Sequence, residues 1–171
     1  VVEVPDSKPG ANGYPALEVG ADGIADIFYP SNGLRHAARD KNGAWQVESL
    51  DNRPAAGPSA VRIGDTWHVI WRAGTGKDTE LVHASGATGK WVMATIDKNS
   101  QIGSTSVTAV ARDKAGHLHL IYRRSNRVWY GTDKFGKWSL VQAGYTESLY
   151  LANSLRVDDN GVVHHLHAGS S

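Results

Sequence analysis

The chain has 171 residues, enough for one well-buried core and too few for two comfortable domains. Its 18 Lys and Arg against 17 Asp and Glu leave a net charge of +1, without the basic excess of a general nucleic-acid or membrane-surface binder. No run of about 18 apolar residues offers a transmembrane helix, and the absence of cysteine excludes disulfides and thiolate metal sites.

The chain opens on Val1-Val2-Glu3-Val4, which reads as a strand, and its only methionine is Met93. A processed mature chain or an excised fragment is therefore expected. Residues 15–29 (PALEVGADGIADIFY) then read as a strand, a tight turn and a second strand ending on an aromatic. A third strand follows at Leu34-Arg35-His36-Ala37, and a fourth after Gly43-Ala44-Trp45. The same order recurs from residues 59–71 through Leu81-Val82-His83-Ala84 to Gly89-Lys90-Trp91. It recurs again from residues 108–122 through Val128-Trp129-Tyr130-Gly131 to Gly136-Lys137-Trp138. Residues 153–167 open a fourth unit that holds two strands. Anchored on Ala16, Ala60, Ala109 and Ser154, the steps are 44, 49 and 45 residues. The turns carry Asp22-Gly23, Asn32-Gly33, Asn42-Gly43 and Asn160-Gly161, residues that tolerate the positive φ of hairpin turns.

Four short strands every ~45 residues is the period of a propeller blade. The expected fold is an all-β propeller of four-stranded antiparallel blades. Three blades are complete, at about 15–52, 58–99 and 105–144, and a fourth is split between 153–171 and 1–4. A sheet apolar on both faces is buried by stacking against its neighbours around an axis. Within the first strands, Leu17, Val19, Val61, Ile63, Leu155 and Val157 are expected on one face and Glu18, Arg62 and Arg156 on the other, with Arg112 breaking the pattern. The missing strand of the last blade implies either a longer propeller or a ring completed by a second copy.

The segments Asp113-Lys114-Ala115-Gly116-x-x-His119, Asp133-Lys134-Phe135-Gly136-x-Trp138 and Asp158-Asp159-Asn160-Gly161-x-x-His164 resemble the repeats of bacterial secreted sialidase-like propellers. The resemblance runs over almost the whole chain at the level of the repeat. It departs from the sialidase Asp-box, which has one residue between Asp and Gly where this chain has two. It implies an extracellular or periplasmic protein concerned with carbohydrate.

Asp26, His68, His119 and His164 occupy one repeated position in the second strands, and the repetition favours a structural hydrogen bond over a ring of metal ligands. His165 and His167 share a strand face and are the weak candidates for a Zn²⁺ pair. Trp45, Trp91 and Trp138 keep one phase relative to glycine, which favours blade packing over sugar platforms. Gly74-Thr75-Gly76-Lys77-Asp78 lacks the leading glycine, the hydroxyl residue and the helix of a phosphate loop, and no cofactor is expected.

The irregular residues on one rim are the better ligand candidates: Arg72, Arg123, Arg124 and Arg127, with Tyr145 and Tyr150. Lys77 and Arg53 lie on the same rim. Arginine grips carboxylates bidentately and tyrosine stacks on sugar rings. The expected function is a non-enzymatic binding or scaffold module for a glycan, an acidic one in particular, or for a protein partner. The alternative is a propeller-type carbohydrate-active enzyme. A polysaccharide lyase would use His36 or His83 as base beside a rim arginine, and a glycosidase would draw on Asp78, Glu80 and Glu147.

Overall fold

In the computed structural model, which describes residues 14–20, 23–99, 101–103, 108–145 and 155–166, the turns explain the repeat first. Asp40, Asp113 and Asp158 each accept hydrogen bonds on Oδ1 from backbone N–H groups of the turn that follows, at 2.8–2.9 Å. The residue three places on is glycine because the loop needs a left-handed backbone there: φ is +86° at Gly43, +89° at Gly116 and +79° at Gly161. The two residues between Asp and Gly are the span that this turn needs.

These turns join short strands into meanders. The first sheet is β1 (Ala16–Val19), β2 (Ala25–Pro30), β3 (Leu34–Arg39) and β4 (Trp45–Asp51). The second is β5 (Ala55–Ile63), β6 (Thr66–Ala73), β7 (Glu80–Ala87) and β8 (Lys90–Lys98), with a 3-10 turn at Gly76–Asp78. The third is β9 (Ala109–Arg112), β10 (Leu118–Arg124), β11 (Arg127–Thr132) and β12 (Ser139–Tyr145). A two-stranded sheet, β13 (Leu155–Val157) and β14 (Val163–His165), follows. Every pairing is antiparallel between sequence neighbours, and the first strands β1, β5, β9 and β13 pack on one another in succession. This is the all-β propeller architecture, three four-stranded blades and a hairpin. The strand expected at residues 1–4 lies outside the described residues.

Three apolar clusters lie between consecutive sheets. Phe28, Leu34 and Leu50 of the first meet Trp67, Val69 and Trp71 of the second. Ile70 and Leu81 meet Leu118, Leu120 and Tyr122. Ala109, Ala111, Ile121 and Val128 close on Leu155. Side-chain hydrogen bonds bind the sheets as well: Thr108 Oγ1 donates to Gly57 O at 2.8 Å, and Tyr122 Oη to Asp97 at 2.7 Å. The far face of the first sheet is uncovered among the described residues, with Leu17 and Val19 each 60% exposed.

One expectation fails by a single residue. Val61 and Ile63 turn toward the third sheet, whereas Leu155 and Val157 turn back toward it from the hairpin and so occupy the opposite face of their strand. The cause is the two-residue turn at Gly64-Asp65, shorter than the corresponding turns, together with the bulge between Ala56 and Ser59. A one-residue slip exchanges the faces of a strand. Arg62 pairs with Trp67 and Arg112 with Leu118, the place that Val19 and Val157 hold in their sheets, so Arg62 leaves the face of Glu18 and Arg156 and joins Arg112.

Each blade carries a polar contact between its second and third strands at the repeated position. In the first, His36 bridges Asp26 (2.7 Å) and Glu48 (2.8 Å). In the second, His68 Nδ1 lies 3.1 Å from His83 Nε2 with the rings stacked at 5.3 Å. In the third, His119 meets Tyr130 Oη at 2.6 Å. The next blade reaches back over two of these groups. Trp91 stands edge-on to His36 at 5.4 Å and Trp138 edge-on to His83 at 5.7 Å. Gly89 N–H and Trp91 Nε1–H both donate to Glu48, at 2.9 Å each, tying the second sheet to the first.

Burial, reinforced by repulsion from His68, pushes His83 down to about 4, and Asp133 opposes this only in part. The unfolded chain takes up a proton near pH 6.5 that folded His83 refuses. The stability from neutral His83 is therefore complete above about pH 6.5 and is lost as pH falls toward 4. Between pH 7 and pH 5 the wild type is expected to lose up to about 2 kcal/mol from this group. His83→Gln should flatten that part of the slope in urea melts at the two pH values, and an unchanged slope would refute the assignment.

Candidate functional site

The loops from second to third strand and from one sheet to the next emerge at one end, here called the upper end. Between the first two sheets this end holds a pocket of about 390 Å³ lined by Pro30, Ser31, Asn32, Gly33, Asn52, Pro54 and Ala55. Gly33 has no room for a side chain: a Cβ there would lie 2.0 Å from Asp51 O. Beside the pocket, Arg53 donates to Asp51 and to Glu80, each at 2.8 Å, and Lys98 lies 3.3 Å from Glu80. The Arg53 hydrogen bond holds the Glu80 carboxyl below its ordinary value, so Glu80 is ionised and unsuited to general-acid work. Asp78, exposed on the 3-10 turn, is an upper-end carboxylate that Arg53 does not engage, and Asp97 is held by Tyr122 and Arg124.

Arg72 is the unusual group. It lies near the upper end of β6, opposite Ala56 and Leu81 and on the strand face of Ile70 that turns toward the third sheet, and is only 6% exposed. Its Nε is buried with no acceptor, and among the described residues no carboxylate pairs with it. Burial pushes the guanidinium below its ordinary value. A buried charge without a partner is costly, and a fold that keeps one in place has a use for it.

The other expected ligand residues are dispersed. Arg123 turns its Nε to the carbonyl of Ser125. Arg124 lies 3.3 Å from Asp97 and 4.4 Å over the Trp129 ring, holding the second and third sheets together. Arg127 donates to Gln142 at 2.7 Å and lies 5.5 Å over Tyr145, its register partner on the outer edge. Lys77 is exposed on the 3-10 turn, and Tyr150 and Glu147 lie outside the described residues. Arg72 is thus buried toward the third sheet near the upper end, outside the lining of the pocket, while Arg124, Arg127 and Tyr145 are engaged elsewhere.

The histidines named as conceivable bases are not at this end. His36 has both ring nitrogens on carboxylates and is fully buried, and His83 is stacked on His68. His165 shares a register with Leu155, His164 Nε2 bonds Asp158 at 3.0 Å, and His167 lies outside the described residues. Among the described residues no group of three His, Asp or Glu is arranged to hold a metal. The Asp26–His36–Glu48 bridge was not foreseen as a unit. Asp26 was noted for its repeated position and His36 as a base, but Glu48 has no counterpart in the other blades to draw attention to it.

No family model matches the chain, and no curated protein matches it. Solved structures do. The bifunctional GH43-CE protein of Bacteroides eggerthii superposes with a TM-score of 0.55 at 11% identity, over 80% of this chain and 21% of that one. An exo-1,5-alpha-L-arabinanase from a bovine ruminal metagenomic library gives the same TM-score and identity, over 88% of this chain and 58% of that one. The chain thus spans well under two thirds of either structure. These likenesses correct two expectations. The solved propellers it superposes on carry GH43 and arabinanase names instead of sialidase names, and these are names of enzymes where a non-enzymatic binding module was expected.

Proposed function

We propose that this chain forms an arc of a propeller-type carbohydrate-active enzyme that meets its saccharide at the upper end, with Arg72 as the group that grips the substrate. The observation that carries this reading is the buried Arg72 near the upper end of β6, whose Nε has no acceptor among the described residues. A sugar ring offers hydroxyl oxygens, and a uronate adds a carboxylate, both acceptors suited to the planar guanidinium fork. In a site shielded from water, such a contact is stronger than on an open surface. The neighbours' names favour glycoside cleavage by hydrolysis.

The test is turnover of arabinan and of a polyuronate by the full chain, read as new reducing ends. Wild type is expected to cleave one of them, and Arg72→Ala to lower kcat/KM by about tenfold or more, the scale of one charge-assisted hydrogen bond. Arg124→Ala, which disturbs only the sheet contact, should leave KM near wild type. Equal activity in wild type and Arg72→Ala would overturn the reading.

A further inference from the structure

The opposite end of the molecule holds a second cavity. It has a volume of about 550 Å³ and is lined by Glu18, Val19, Gly20, Val61, Arg62, Gly64, Asp65 and Arg112. These residues come from the first strands of three successive sheets and the turns that leave them, so the cavity sits at the lower mouth of the propeller axis. The register places Arg62 on β5 and Arg112 on β9 at corresponding points, and two guanidinium groups thus enter one cavity from adjacent strands.

Neither arginine is satisfied there. Arg112 is exposed and has no carboxylate partner among the described residues. Among the described residues Arg62 has a buried Nε without an acceptor, and its one ion pair there is a 3.5 Å contact with fully exposed Asp65. Its guanidinium also lies 5.4 Å over Trp67, which fixes its direction. Glu18 faces the same cavity, and the charge of Arg156 reaches it from the last hairpin. The charged groups lining the cavity are two arginines and two acids, and Asp65, one of the acids, is fully exposed.

We propose that this lower axial cavity is a binding site for a small oxyanion, a phosphate or the carboxylate of an acidic sugar, held between Arg62 and Arg112. Paired guanidinium groups converging on one space suit bidentate recognition of such a group, and the cavity falls within the ordinary range for small-ligand sites. The site is separate from the upper end and does not depend on Arg72.

The experiment is a titration of the full chain with inorganic phosphate and, in parallel, with galacturonate, each at ionic strength matched with sodium chloride. Binding is read by calorimetry and by the rise in Tm. At least one ligand is expected to bind saturably. Arg112→Ala, a change at an exposed side chain, should weaken that binding about tenfold or more, Arg62→Gln should do the same, and Arg112→Lys should restore part of it. Arg72→Ala should bind as wild type does, which separates this site from the one above. A response to phosphate alone or to galacturonate alone supports the site and identifies the source of the anion. No saturable response to either, or a response that Arg112→Ala leaves intact, would overturn the proposal.

Discussion

His36→Ala is expected to destabilise the chain by about 3 kcal/mol or more, the range for breaking a buried ion pair by removing one partner. His36 is the shared partner of Asp26 and Glu48 at 2.7 and 2.8 Å, and its removal leaves Asp26 buried beside a void. The same ring stacks on Phe28 at 4.5 Å and receives the edge of Trp91. Both aromatic contacts vanish with it, adding to the loss. Glu48 keeps its bonds from Gly89 and Trp91, so the junction between the sheets should loosen without opening. Urea denaturation with wild type alongside measures this. A change below about 1 kcal/mol would mean that the bridge contributes little more than an exposed ion pair.

Arg72→Met is expected to act in the opposite direction, raising stability by about 1 kcal/mol or more while lowering kcat/KM about tenfold or more. An apolar side chain of similar length removes a buried charge that nothing among the described residues compensates. Residues kept for chemistry commonly cost the fold something, and their replacement then stabilises. A fall in Tm instead would show that Arg72 holds the blade together, and the upper-end site would lose its support.

The architecture was legible in the sequence because its signals repeat. Gly-x-Trp marks a turn glycine at positive φ and, in Trp91 and Trp138, an indole laid edge-on to a histidine of the preceding sheet, and Asp-x-x-Gly follows from the hydrogen-bonded turn at Asp40, Asp113 and Asp158. The face assignment of β5 was lost because a shorter turn and a bulge shift its register, and neither leaves a mark in residue type. The rim arginines illustrate a different limit. Arg72 and Arg123 hold the same place after the closing aromatic of their strands, yet one is buried without a partner and the other turns back on its own loop. What separates them is the depth at which neighbouring chain covers each, which is a property of the assembled sheets. The lower cavity was hidden by the same slip, since Arg112 looked exceptional until the register placed it level with Arg62.

The backward reach of Trp91 and Trp138 gives the stack a direction. A later sheet completes the interior of the one before it, while an earlier sheet asks nothing comparable of its successor. Either truncation opens an apolar junction, but shortening the protein from its tail would also strip imidazoles of their lids, whereas trimming from its head would leave an indole idle. The two kinds of truncation are unequal injuries, and a series of nested fragments should lose cooperativity faster when cut from the carboxyl-terminal side.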